Sequence, residues 1–157
     1  MDSELIEAAK GGDIDNLKTL LAQGIDIESQ DKLFGRTALM WSARSGETVA
    51  LQILLEQGAN VNTWDKYGGT ALQAAASFGY SEIVSALLQH GANINAQDGQ
   101  GWTAVMMAAA HGHTDTVEIL LEHGADLTLK DEHGGTALMM AQNFHQADVV
   151  ELFTKLG

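Results

Sequence analysis

Apolar and polar residues follow a helical rhythm along this chain, and the rhythm breaks and restarts at regular intervals. Leu72, Ala75 and Ala76 stand at helical spacing, and Gly79 interrupts them. Ile83, Val84, Leu87 and Leu88 then give the i, i+1, i+4, i+5 pattern of a second amphipathic helix. Gly91 follows, suited to the left-handed residue that closes a helix. The pattern predicts two short helices, each of about eight to ten residues, that would be marginal alone in water. Neighbouring segments must therefore bury their apolar faces.

The neighbours are copies of the same pattern. Thr-Ala recurs at Thr37-Ala38, Thr70-Ala71, Thr103-Ala104 and Thr136-Ala137, spaced by 33 residues each time. Gly46, Gly79 and Gly112 keep that period, as do Gly58, Gly91 and Gly124. Asp65, Asp98 and Asp131 are 33 apart, whereas Asp31 and Asp65 are separated by 34, which puts one extra residue between Asp31 and Thr37. A repeat array tolerates such an insertion at a loop tip. The alanines of each first helix allow close stacking on the next copy. Residues 91–98 lead into Gly99-Gln100-Gly101, a turn in which positive φ is easy.

The period and the Gly–Thr-Ala-Leu–Ala-Ala–Gly–Ile-Val–Leu-Leu–Gly-Ala–Asn motifs closely resemble the ankyrin repeat family, over essentially the whole chain. The resemblance implies an all-α ankyrin-repeat solenoid of stacked helix pairs with projecting β-turn fingers. Residues 1–30 look like an N-terminal cap, residues 31–64, 65–97 and 98–130 like full repeats, and residues 131–157 like a C-terminal cap in which His145 replaces the inter-helix glycine. The family's usual Thr-Pro-Leu-His is here Thr-Ala-Leu-Met at 37–40 and 136–139, Thr-Ala-Leu-Gln at 70–73 and Thr-Ala-Val-Met at 103–106. Alanine for proline is mild at a helix start. Loss of the histidine puts the usual cross-repeat hydrogen bonds in doubt and leaves the fold intact. The chain has no proline at all, against about 5% in average usage, so natural and engineered origins both stay open.

Charge narrows the choice of partner. The net charge is −13, with −6 in residues 1–31, +1 in 32–64, −1 in 65–97, −4 in 98–130 and −3 in 131–157. Acidic ends keep a stackable chain soluble and discourage end-to-end association. The nearly neutral middle leaves room for an apolar contact surface. Nothing in it would neutralise a row of phosphates, which argues against nucleic acid. No stretch approaches the roughly 18 apolar residues of a membrane span, and the acidic start at Asp2 and Glu4 lacks a secretory signal's pattern. With no cysteine, thiolate metal sites and disulfides are excluded, and a reducing cytoplasm fits.

In a repeat stack, recurrent residues build the core and varying ones decorate the surface. The varying turn positions include Lys32, Leu33, Phe34, Arg36, Lys66, Tyr67, Gln100, Trp102 and His133. On and just after the first helices they include Trp41, Arg44, Phe78, Tyr80, Met107, His111 and His113. Six of the chain's nine aromatics fall in this set; aromatics beside Met and Arg are the composition of an interface core. The resemblance adds that ankyrin proteins recognise other proteins through the fingers and the concave first-helix face. The expectation is a monomeric protein-binding module whose partner lies along units two to four. The alternative is a structural protein that self-associates through the same face, which the acidic ends oppose. Trp41 and Met107 could instead pack between first helices, and Trp64, in the place of Gln30, Gln97 and Lys130, could pack under its own finger.

Catalytic and cofactor signals are weak. Gly99-Gln100-Gly101-Trp102-Thr103-Ala104 matches a dinucleotide loop in letters, yet such a loop needs a long buried strand before it and a long helix after it. His111, His113 and His145 could approach one another across the last two units, but zinc needs three or four converging ligands, and surface histidines are the simpler reading. No Gly-x-Ser-x-Gly or Ser/His/Asp arrangement is evident. We therefore expect no enzyme, metal or cofactor. Some ankyrin proteins are hydroxylated at a hairpin asparagine, whose place Asn62 and Asn95 take. Asn60 and Asn93, where that enzyme favours an acid, count against this, and local hairpin bonds are the alternative.

Overall fold

The computed structural model describes residues 2–156, which form ten helices and, among the described residues, no strand. In chain order they are α1 (Asp2–Gly11), α2 (Ile14–Ala22), α3 (Ala38–Ser45), α4 (Thr48–Glu56), α5 (Ala71–Phe78), α6 (Ser81–Gln89), α7 (Ala104–Ala110), α8 (Thr114–Glu122), α9 (Ala137–Asn143) and α10 (Ala147–Lys155). The odd-numbered helices pack on one another in a row, and the even-numbered helices form a second row behind them. Each odd–even pair is one unit of the stack, five in all.

The repeated Thr-Ala sets where each first helix begins. Thr37, Thr70, Thr103 and Thr136 are extended N-caps whose hydroxyls accept from the amides of Met40, Gln73, Met106 and Met139. Each such cap contributes about 1 kcal/mol. The alanine after each threonine is completely or almost completely buried, so no proline is needed to hold the start. Ala43, Ala75, Ala76, Ala108, Ala109 and Ala141 are buried between first helices, where nothing larger would let the rows approach. Leu51, Leu54, Ile83, Val84, Leu87, Val117 and Leu120 fill the space between rows, each worth roughly 1.5–3 kcal/mol of burial.

The inter-helix glycines do two things at once. Gly46, Gly79 and Gly112 have φ of 76°, 72° and 72°, which a side chain tolerates poorly. Each is also the seat for a side chain of the next unit. A Cβ on Gly46 would lie 2.9 Å from the Tyr80 ring, one on Gly79 would lie 2.6 Å from His113 Nδ1, and one on Gly112 would strike Gln146.

His145 stands in the same place in the fifth unit with φ 59°, the one non-glycine at positive φ among the described residues. It is exposed and, among the described residues, seats no side chain of a further unit, so its side chain has room and only the backbone cost remains. His145→Gly is expected to stabilise the chain by about 1 kcal/mol, offset in part by added freedom of the unfolded chain. A thermal melt should therefore shift upward by about 2–4 °C at most. A lower melting temperature would show that the histidine ring makes contacts that outweigh its strain.

Candidate functional site

The fingers are organised by the aspartates that open them. Asp65 Oδ1 accepts from the amides of Tyr67 and Gly69, both at 2.9 Å. Asp98 Oδ1 accepts from Gln100 and Trp102, and Asp131 Oδ1 from His133 and Gly135. Adjacent fingers share one backbone bond each: Lys66 N to Phe34 O at 2.9 Å, Gly99 N to Tyr67 O at 2.8 Å, and Glu132 N to Gln100 O at 2.9 Å. The fingers thus form a connected edge that holds their tip side chains in register.

In the finger of the second unit, opened by Asp31, the inserted residue changes the pattern. Asp31 accepts from Phe34 N at 2.6 Å, Arg36 N at 3.1 Å and the Trp41 indole at 2.9 Å. Phe34 meets Trp41 edge-on with ring centroids 5.8 Å apart. The Arg36 guanidinium lies 4.7 Å from the Phe34 ring and 5.1 Å from Trp41, and its Nε donates to Asp65 Oδ2 at 3.0 Å. Lys10 Nζ sits 4.9 Å from the Trp41 centroid. Phe34, Arg36 and Trp41 are half-buried and link the first three units. Lys66 reaches back along this edge, its ammonium donating to the carbonyls of Lys32 and Leu33. Leu33 itself is 71% exposed.

Further along, Arg44 is exposed with its guanidinium 5.2 Å from the Phe78 ring, and Phe78 stacks on Tyr80 at 5.8 Å. A groove of about 210 Å³ runs beside them, lined by Arg36, Met40, Arg44, Tyr67, Gln73 and Met107 among others. Tyr67 is 64% exposed at its rim, and Met107 is half-buried. Gln100, Trp102 and His133 lie on a second depression toward the last unit, with Met139 and Met140. Trp102 is half-buried and packs on the core, so the bulk of its ring is shielded, unlike Tyr67. His111 is exposed and its ring stacks on His113 at 6.0 Å. His113 is half-buried and bonds Ser77 O at 2.9 Å, closing the preceding first helix. No group of three His, Cys, Asp or Glu among the described residues is placed to hold a metal.

Tyr80 and His113 vary between units, yet both are stack residues, seated on Gly46 and Gly79. They vary between copies because the seat accepts any flat or slender side chain. Glu47 and Gln146 take the same place over Gly12 and Gly112.

Models of ankyrin repeats match residues 5–98 and 87–141. The chain belongs to the ankyrin repeat family. It is 35% identical over 65 residues to a putative ankyrin repeat protein, YahD, of Escherichia coli. It is 44% identical over 66 residues to the mitochondrial disaggregase of Homo sapiens, and 41% over 64 residues to inversin-A of Xenopus laevis. These matches cover 41%, 42% and 40% of this chain, and 32%, 9% and 6% of those proteins. Ankyrin repeats generally mediate protein–protein interaction. No helix among the described residues is long and apolar enough to cross a membrane.

This ankyrin array replaces the family's cross-repeat histidine in two ways. Gln73 Oε1 accepts from Thr70 N, and its Nε2 donates to Ala96 O at 2.8 Å and Trp102 O at 2.9 Å. Through the bond to Trp102 O the amide ties its unit to the next. Met40 and Met106 fill the same place by packing, and Met106 Sδ also accepts from Thr103 N at 3.5 Å. Met139, with no following unit over it among the described residues, is 47% exposed. Asn62 and Asn95 likewise act between units, accepting from the amides of Asn93 and Asp126. Asn60 and Asn93 supply the local hairpin bonds, each accepting from the amide two residues on.

Burial pushes the Asp31 carboxyl up, but donation from Phe34, the Trp41 indole, Arg36 and Leu33 outweighs burial and holds it below its ordinary value. Its contribution is complete above the ordinary carboxylate range and disappears as pH falls through the lowered value. Asp31→Asn is therefore expected to be less stable than wild type at neutral pH, with the gap narrowing in acid. Urea midpoints measured from pH 7 downward check this; a gap that is constant with pH would show that the charge of Asp31 contributes nothing.

Proposed function

We propose that this ankyrin array is a non-catalytic protein-binding module whose partner lies along the fingers and first helices of units two to four. One observation carries the reading. Arg44 is exposed, lies over Phe78 and has, among the described residues, no carboxylate within 4.0 Å, at the edge of a groove whose rim holds an exposed Tyr67. Arginine and aromatic side chains that a stack leaves uncovered are the usual anchors of a protein interface. Leu33 at the second finger tip extends the apolar surface, and Gln100, His111 and His133 give it a polar continuation toward the last unit.

Basic side chains support the same face. Lys32, Arg36, Arg44 and Lys66 are half of the chain's eight lysines and arginines, and all lie in the fingers or first helix of units two and three. An acidic molecule with half of its cations along one face favours there a partner segment mixing acidic with apolar residues. The module works as a cytoplasmic monomer, without metal or cofactor.

Arg44→Ala, Tyr67→Ala and Phe78→Ala are each expected to leave stability within about 1 kcal/mol, as for surface sites. Each should lower capture of a partner from extract by about tenfold or more, as loss of an interface anchor does. Pull-down with the full chain, followed by a thermal melt of every variant, separates the two effects. Variants that melt as wild type and capture the same proteins equally well would sink the proposal. For Trp102→Ala the half-buried ring predicts instead a stability loss of about 1–3 kcal/mol.

A further inference from the structure

Four residues stand directly before the finger aspartates: Gln30, Trp64, Gln97 and Lys130. Two of them act as clamps. Gln30 Nε2 donates to Gly35 O in its own finger at 2.7 Å and to Trp64 O in the next unit at 3.2 Å. Gln97 Nε2 donates to Gly101 O at 2.9 Å and to Lys130 O at 2.9 Å. By the same register, the carbonyls that the residue at 64 would clamp are Gly68 O and Gln97 O. Trp64 bonds to neither, and no other donor among the described residues reaches them.

The tryptophan does not compensate by packing. Trp64 is 68% exposed rather than tucked under its finger. It borders a groove of about 530 Å³ whose other walls include Asn62, Gly68, Asn93, Gln97, Asp98 and Gly99. Two carbonyls without a clamp thus lie beside a free indole face.

We propose that this groove seats an arginine side chain of a partner protein. A guanidinium is planar, carries five N–H donors and stacks on aromatic faces. It would supply to Gly68 O and Gln97 O the donors that a glutamine supplies elsewhere in the array, while its plane covers Trp64. An apolar side chain would cover the indole but leave both carbonyls without a donor. A carboxylate would meet acceptors in a chain of net charge −13. Asp98 also borders the groove and adds negative charge where the cation would lie. The seat uses none of Arg44, Tyr67 and Phe78, so it holds or fails independently of the finger and first-helix face.

The test follows the indole N–H and backbone amide resonances of the ¹⁵N-labelled full chain during titration with a blocked tripeptide, acetyl-Gly-Arg-Gly-amide. The control is the same peptide with citrulline, which keeps the planar shape but has a carbonyl in place of one terminal amino group, and so loses the charge and two of the five N–H donors. The arginine peptide is expected to shift the Trp64 indole and the Gly68 and Gly99 amides saturably, with the citrulline peptide about tenfold weaker. Trp64→Gln, with the residue that two sister units carry, should restore the clamp, raise the melting temperature by about 2–4 °C and abolish the saturable shift. Trp64→Ala should abolish the shift without raising the melting temperature. The proposal is overturned if shifts scatter over the acidic surface without saturating at Trp64, or if both peptides bind alike. It is equally overturned if Trp64→Gln binds as wild type or gains no stability.

Discussion

Everything in this molecule depends on the burial of one helix pair by the next. No unit has a core of its own: the longest helix has ten residues, too short to persist alone in water. The apolar stripe of each first helix is covered by its neighbours in the row. This constraint explains why alanine recurs on the first helices, why glycine stands between the helices, and why polar side chains that cross from unit to unit matter more than ion pairs. One ion pair, Arg36 with Asp65, bridges two units among the described residues. By contrast Gln30, Gln73, Gln97, Asn62, Asn95, His113 and Gln146 all bond backbone of an adjacent unit.

The same constraint separates stack residues from free ones. A position is held by the stack when the next unit needs it as a seat or as a donor. Tyr80 and His113 vary in identity but are held, because any ring or amide satisfies the seat over a glycine. Tyr67, Arg44 and Phe78 are not held, because the groove beside them faces solvent rather than another unit. Phe34 and Trp41 lie between these cases. Their aromatic faces are already occupied by Arg36 and Lys10, and Trp41 is further anchored by Asp31.

Much of the fold was readable in the letters because repetition averages out local ambiguity. Four copies of Thr-Ala and three of the inter-helix glycine mark helix starts and stops more surely than any single propensity. The site was only partly readable. Internal comparison identifies which positions vary but not which way a side chain points, so it grouped Tyr80 with Phe78, although one seats on Gly46 and the other is 44% exposed. It also ranked Trp102 with Tyr67, since both sit in turns, whereas the Trp102 ring lies back on the core. The role of Gln73 was open to sequence as an amide substitute for histidine. Its bonds to Ala96 in its own unit and to Trp102 in the next needed the stacked geometry. The clue to Trp64 was present as an odd residue in a column of polar ones, but its meaning depends on carbonyls that sequence does not display.

On the proposed reading, the stack leaves the finger and first-helix face uncovered in solution, free for a different protein. Size-exclusion chromatography with light scattering on the wild-type chain, taken to high concentration, tests it most directly. A single species near the monomer mass of 16.7 kDa is expected at every concentration. A dimer that dissolves when Arg44, Tyr67 and Phe78 are changed together to alanine would contradict it, because the same face would then be covered by a second copy of the chain.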